Sequence, residues 1–309
     1  MKAALALLLL AVACDRGHHE APAPAPPVPP APAPAKSAGC TLAPLPLKLP
    51  AAKRVVAIGD LHGDLGAARA ALRAAGAIDD RDQWIGGDLE VVQLGDVLDR
   101  GDDESKILAL LERLETDARA AGGQVIRLLG NHELMNAAGD FRYVTPGGAR
   151  DFGGDRVHAL GPGGPVAKQL ANYDIVAIVG DTVLSHAGVL ADWVPHLDEM
   201  NLAARCWLDG QAGDAHTPPL ALVAEDSPVW TRVWGTPGAV DCAELDRVLA
   251  ALGAKRMVVA HTVQEHGITS ACDGKLWRVD VGLARLYGGP IEVLAITGDG
   301  AKVLRGSRE

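Results

Sequence analysis

The sequence predicts an α/β fold built on mixed β-sheets, and three observations carry that reading. Between residues 53 and 129, short apolar runs alternate with Ala- and Leu-rich stretches of helical spacing, the pattern of βαβ units with parallel strands. Later, Gly180 with Asp181, and Gly298 with Asp299 and Gly300, sit between apolar runs as hairpin signals, which adds antiparallel strands. The 309 residues include 36 Gly and only 4% aromatics, which suits a loop-rich α/β domain better than a helical bundle.

Each element follows from its residues. The run RVVAI at 54–58 is apolar on both faces and reads as a buried strand. Residues 65–75 are Ala-rich with helical spacing, 89–94 form a second strand, 105–121 a second helix and 124–129 a third strand. Residues 174–179 and 182–186 pair across the first hairpin signal, and 256–260 form a further buried strand. Residues 291–296 and 301–304 pair across the second hairpin signal. No internal repeat is present.

The N-terminal residues predict export. Lys2 precedes an apolar run over 3–13, too short to span a bilayer and matching a signal-peptide core. The run ends in Ala11, Val12, Ala13 and Cys14, which resembles a bacterial lipobox whose Cys is lipidated; an ordinary signal peptide cut near Ala13 is the alternative. The expected location is the periplasmic side, with a lipid anchor as the only membrane contact. Residues 14–52 read as a tether, with eight Pro between 21 and 34, and the folded domain as 53–309. His18 and His19, in the tether, read as solvated more readily than as a metal grip. Cys40, Cys206, Cys242 and Cys272 allow up to two disulfides in an oxidising compartment, with three pairings open, and lack the spacing of a zinc-thiolate site. A net charge of −10 excludes non-specific nucleic-acid binding. An acidic chain binds phosphate only where positive charge is concentrated locally.

Polar clusters recur where strands end. GDLHGD (59–64) follows the first strand, GDVLDRG (95–101) the second and GNHE (130–133) the third. SHAG (185–188) ends a hairpin strand, and AHT (260–262) ends the late one. Ligands collect beyond strand carboxyl ends in α/β sheets. Asp, His and Asn delivered there by five segments make a metal site of hard and borderline donors. The Gly residues let each loop turn sharply and pass close to its neighbours.

GDLHG, GDVLDRG, GNHE, HAG and AHT together resemble the signature of the calcineurin-like metallophosphoesterases, within the phosphoprotein phosphatase superfamily. GNHELMNAAGDFRYV (130–144), SPVWTRVW (227–234) and DVGLARLYGG (280–289) are most similar to the bacterial Shewanella-like phosphatases. The resemblance implies two mixed sheets packed as a sandwich flanked by helices, the α/β/β/α architecture. It implies two divalent metals, Mn, Fe or Zn with Mn first, one held by Asp60, His62 and Asp96 and the other by Asp96, Asn131, His186 and His261. Asp96 is expected to bridge them with its two oxygens, and water acidified between the ions to attack phosphorus. His132 is then the general acid, oriented by Asp99, and Arg100, Arg232 and Tyr287 meet the phosphate. Arg232 as a surface ion pair and Tyr287 as a packing residue are the alternatives.

Departures from the family pattern are small. Ala187 stands where Gly is frequent, Ala260 precedes His261 in place of Gly, and Val263 and Gln264 follow where Pro is common. None removes a ligand. Residues 141–168, with Arg142, Tyr143, Arg150 and Arg156, read either as a cap over the site or as a surface excursion. The implied activity is hydrolysis of phosphate monoesters on phosphorylated Tyr, Ser or Thr of a protein. Hydrolysis of a small phosphoester or a dinucleoside polyphosphate is the second reading. A non-catalytic, metal-dependent binding lipoprotein is the third, and the full set of ligands argues against it.

Overall fold

The computed structural model describes residues 39–212, 217–238 and 240–308. The predicted signal peptide, Cys14, the His18 and His19 pair and most of the predicted tether lie outside the described residues.

The first half of the chain alternates strand and helix: β1 (Lys48–Leu49), β2 (Arg54–Ile58), α1 (Leu65–Ala74), β3 (Glu90–Gln93), α2 (Glu104–Ala120), β4 (Gln124–Arg127) and α3 (Asn131–Ala137). An excursion with α4 (Arg156–Leu160) and α5 (Pro165–Leu170) leads to the hairpin β5 (Val176–Val179) and β6 (Thr182–Ser185). Next come α6 (Leu197–Leu208), α7 (Leu220–Val223), α8 (Cys242–Leu252) and β7 (Arg256–Val259). Two hairpins complete the order: β8 (Thr269–Ala271) with β9 (Leu276–Arg278), and β10 (Glu292–Thr297) with β11 (Gly300–Arg305).

Local chemistry sets the helix ends. Asp64 caps α1 by accepting from the Ala67 N–H at 3.0 Å, and Asp241 caps α8 by accepting from Ala243 and Glu244. Gly253, in the left-handed region at φ 65°, ends α8.

The strands form two mixed sheets. One runs β11-β10-β2-β3-β4, with β2, β3 and β4 parallel; the other runs β1-β5-β6-β7-β9-β8. Strand alternation sorts the side chains into two layers. Val55, Ala57, Val92, Leu94 and Ile126 from the first sheet meet Ala177, Val179, Leu184 and Val258 from the second in an inter-sheet core. The opposite faces, with Val56, Ile58 and Val91 on one and Ile178, Val183 and Met257 on the other, join the buried residues of α1, α2, α6 and α8. This is the helix-flanked sandwich that the sequence implied. It explains why these strands are apolar without alternation: each is covered on both sides.

The domain starts earlier than residue 53. β1 pairs in parallel with β5, Lys48 opposite Ile178 and Leu49 opposite Val179. Arg205 donates to the Ala43 carbonyl at 2.8 Å, and Cys40 is disulfide-bonded to Cys206 in α6. The end of the predicted tether is thus part of the folded body. The other disulfide joins Cys242, at the start of α8, to Cys272 in the β8–β9 turn.

Asp174, before β5, is 7% exposed with its Oδ1 lacking a partner, and burial pushes its carboxyl up to about 6 from the ordinary 3.8. A carboxyl raised by folding contributes stability that is fully present below the unfolded pKa and lost as pH rises through about 6. Asp174→Asn is therefore expected to stabilise the fold by about 1–3 kcal/mol at pH 8 and by almost nothing near pH 4. Urea denaturation of both proteins across that range checks it, and a difference independent of pH refutes it.

Candidate metal centre

Three loops leave the carboxyl ends of β2, β3 and β4 and are tied to one another before any side chain chemistry begins. Backbone N–H groups of Leu61 and His62 donate to the Asp96 carbonyl, both at 2.9 Å, and Gly63 donates to Val97 at 2.8 Å. A Cβ on Gly63 would overlap the backbone of Gly101, and one on Gly101 would overlap Gly63, so the last Gly of GDLHG and the last of GDVLDRG face each other. Glu133, in the first turn of α3, reaches back with its carboxylate. It accepts from the N–H groups of Gly130 (2.7 Å), Asp96 (2.8 Å), Val97 (2.9 Å) and Leu98 (3.1 Å). The loops held this way are strained: His62, Asp96, Asp99, Arg100 and His261 all have positive φ, between 44° and 68°. Such conformations cost about 1–3 kcal/mol each and persist where surroundings over-determine them.

All six sequence-predicted ligands converge on one spot, and all are buried: Asp60, His62, Asp96 and Asn131 from the first sheet, His186 and His261 from the second. Asp96 Oδ2 is their common neighbour. It lies 3.3 Å from His186 Nε2, 3.8 Å from His132 Nε2 and 3.9 Å from His62 Nε2. Asp60 Oδ2 is 3.7 Å from His62 Nε2, and Asn131 Oδ1 is 3.0 Å from His186 Nε2. The other Asp96 oxygen, Oδ1, accepts the His132 N–H at 2.9 Å. Oδ1 thus has a backbone donor, while Oδ2 faces the His186, His132 and His62 rings.

The donor set fits cations. Nδ1 of His62 meets the Leu98 carbonyl and Nδ1 of His186 the Leu94 carbonyl, which turns both Nε2 atoms toward carboxylates. His261 Nε2 is buried with no partner at all. Burial lowers His62 to about 4 and His261 to about 3. Burial also works against the charged form of His186, yet the Asp96 and Asp60 carboxylates outweigh it and raise this ring to about 10. Burial, and after it the Asp280 carboxylate, holds Asp60 well above the usual range; burial opposes ionisation of Asp96, but His186 and His132 hold it well below. Lone pairs and carboxylates so arranged demand positive charge among them, from an imidazolium proton or from a metal. Two groups have donor atoms within 4.8 Å of one another: Asp96 with His186 and His261, and Asp96 with His62 and His132.

Beside this centre His132 Nδ1 meets Asp99 Oδ2 at 2.6 Å. Burial lowers the His132 pKa, and the Asp96 and Asp99 carboxylates overcome it, so the ring is raised. Arg100 donates to His132 Nε2 at 3.2 Å, its guanidinium between the Tyr143 ring (4.8 Å) and the Tyr287 ring (5.3 Å). Arg232 is exposed, donates to Thr262 Oγ1 at 3.2 Å and lines the same cleft of about 550 Å³. Tyr287 lines it too and is half-buried. Ala187 has no positive φ, as its replacement of Gly requires.

Four residues were not singled out as site residues from the sequence. Tyr143 forms part of the cleft wall; Asp280, raised to about 6 by burial, has an Oδ2 without a partner beside Asp60. Glu133 is readable as the third helical residue after Gly130, the position that reaches back to a helix start. Arg156, in the 141–168 segment, is buried behind Asp99 and donates to its Oδ1 at 3.2 Å. Part of that segment does border the site, with Arg142 and Tyr143 lining the cleft, and it is tied down: Arg100 N–H donates to the Tyr143 carbonyl at 3.0 Å, and Ser105 N–H to Asp151 at 2.8 Å.

Comparison with known proteins agrees with this geometry. The model of the calcineurin-like phosphoesterase family matches residues 53–265. The chain is 39% identical to Shewanella-like protein phosphatase 2 of Arabidopsis thaliana, over 80% of this chain and 76% of that protein. It is 30% identical to Shewanella-like protein phosphatase 1 of Plasmodium berghei, over 77% of this chain and 69% of that protein. In structure it is similar to a cold-active protein-tyrosine phosphatase of a psychrophilic Shewanella, with a TM-score of 0.72, 26% identity and coverage of 84% of this chain and 83% of that one. With its ligand-bearing loops at the sandwich edge and its matched length, the chain belongs to the calcineurin-like phosphoesterase family and is a metal-dependent phosphoester hydrolase.

Proposed function

We propose that this protein removes phosphate from phosphorylated protein residues, phosphotyrosine before phosphoserine and phosphothreonine, at a centre of two divalent cations. The observation that carries it is the gathering of six buried candidate ligands around Asp96, with the His132–Asp99 pair alongside. Asp60, His62 and Asp96 hold one cation; Asp96, Asn131, His186 and His261 hold the other. His132 also stands near the first group, but its Nδ1 is engaged by Asp99 and its Nε2 by Arg100, so Asp60 is the ligand we assign. Carboxylate, amide and imidazole donors favour manganese in our reading, with iron and zinc as alternatives. Bound there, such cations acidify water and neutralise the phosphoryl oxygens.

The chain's own residues do the remainder. Arg100 and Arg232, which both line the cleft, grip phosphate oxygens with their planar forks. When Arg100 leaves His132 Nε2 for the phosphate, that nitrogen is free to carry a proton, which passes to the departing oxygen as its bond to phosphorus breaks. Asp99 keeps the ring turned and favours its cationic form. An aromatic leaving group is supported by the wall of Leu134, Met135, Tyr143, Val223 and Trp230 beside the polar floor. The similar Shewanella structure is that of a protein-tyrosine phosphatase, which supports the same reading. Two disulfides among the described residues support an exported protein, in keeping with a periplasmic, lipid-anchored location.

Pure protein stripped by a chelator and given Mn²⁺ is expected to hydrolyse p-nitrophenyl phosphate, and phosphotyrosine peptide faster than phosphoserine peptide or a dinucleoside polyphosphate. No turnover with any divalent metal defeats the reading. His132→Asn should lower kcat by about 10²–10⁴-fold with metal content unchanged; a loss of metal removes His132 from the acid role. Asp96→Asn should empty both cation positions together in elemental analysis, and retention of one ion rules out a shared ligand.

A further inference from the structure

The catalytic pair is held from behind by a residue of the excursion. Arg156, the first residue of α4, is 5% exposed, and each of its five N–H groups has an acceptor. Nε donates to Asn136 Oδ1 at 2.8 Å. Nη1 donates to the Gly148 carbonyl at 3.1 Å and to Glu104 Oε2. Nη2 donates to Asp99 Oδ1 at 3.2 Å and to Glu104 Oε1 at 2.9 Å. Asn136, the last polar residue of α3, donates to the same Asp99 Oδ1 at 3.0 Å and to the His132 carbonyl at 2.9 Å. Glu104 in turn accepts the Asp99 N–H.

Asp99 is fully buried and sits at a positive φ of 68°, a conformation that its own side chain does not favour. Its carboxylate is divided: Oδ1 takes Arg156 and Asn136, which leaves Oδ2 to His132. A carboxylate with both edges engaged cannot rotate away from the imidazole. The guanidinium also sits between the Asp99 and Glu104 carboxylates, so the like charges of those two groups are separated by an opposite one.

We infer that Arg156 is a positioning residue for proton donation: by fixing Asp99 Oδ1 it aims the Asp99–His132 pair at the departing oxygen, and so joins the excursion to the chemical step. This rests on His132 being the general acid of the proposed phosphatase. In that step the bond from phosphorus to the leaving oxygen breaks, its electron pair stays on that oxygen and takes the Nε2 proton, and water supplies the new oxygen on phosphorus. A good leaving group departs without the proton; a poor one does not.

The test is therefore a series of aryl phosphates of rising leaving-group pKa, from 2,4-dinitrophenyl through p-nitrophenyl to phenyl phosphate. Wild type, His132→Asn, Arg156→Lys and Asn136→Ala are compared as Mn²⁺-loaded full-length enzymes. Lysine keeps the charge but has no fork to serve Asp99, Glu104 and Asn136 together. Arg156→Lys is expected to stay within about 3-fold of wild type on 2,4-dinitrophenyl phosphate and to lose about 10–100-fold in kcat on phenyl phosphate, with KM and metal content unchanged. Asn136→Ala, which removes the other Oδ1 donor, is expected to steepen the same dependence more mildly, and covers the case in which Arg156→Lys does not fold. Equal losses on all three esters, or none, overturn the inference while wild-type turnover keeps the phosphatase reading. A flat series for His132→Asn, or no wild-type turnover, brings down the acid role or the activity itself, and this inference with it.

Discussion

Glu133 fixes the frame on which the centre stands. Its single carboxylate gathers the backbone N–H groups of Gly130, Asp96, Val97 and Leu98, so the loops after β3 and β4 cannot move independently. Four N–H groups around one buried carboxylate are worth more together than separately, because none has water to fall back on. The left-handed backbone at Asp96, Asp99 and Arg100 is affordable only in that frame. The facing glycines, Gly63 and Gly101, extend it to the loop after β2 by bringing the two backbones into contact.

On that frame the electrostatics are unbalanced by design of the donor set. Asp60, Asp96 and Asp280 crowd together in a buried space, and burial alone pushes Asp60 and Asp280 toward their neutral forms. The Asp96 and Asp60 carboxylates raise His186 to about 10 against the effect of its burial, while burial lowers His62 to about 4 and His261 to about 3. The same geometry that forces these compromises gathers oxygen and nitrogen donors where divalent cations would relieve them. His132 feels this contest through Asp96, while Asp99 on its other side has its own partners behind it: Arg156, Asn136 and the Glu104 carboxylate that holds its N–H.

Most of the scaffold was legible because it is written in apolar runs. β2 lies at 54–58 as read, and both hairpins fall on their Gly signals. The six candidate ligands, which the structure brings together, were legible as candidates for a related reason: each follows a strand whose end is plain in sequence. What escaped lacked such a signature. β1 is two residues long, and its partner in β5 lies far along the chain, so nothing local marks it. α3 is short and begins with Asn131, His132 and Glu133, residues whose burial depends wholly on the tertiary structure. Arg156 sits in a Gly-rich stretch where an arginine reads as solvated, and only the acceptors brought by α2, α3 and the β3 loop give it a buried place. The cysteine pairings stayed open because pairing depends on distance in space.

The bridge from Cys40 to Cys206 has a mechanical consequence. Any pull on the chain ahead of Cys40 enters the domain through a covalent bond at α6, so it loads a helix and leaves the two-residue strand β1 unstressed. Three of the loops that bear candidate ligands grow from β2, β3 and β4 in the other sheet, while those of His186 and His261 leave β6 and β7 in the sheet that β1 joins. The start of the folded body is therefore secured by a covalent bond to α6 as well as by the short strand β1.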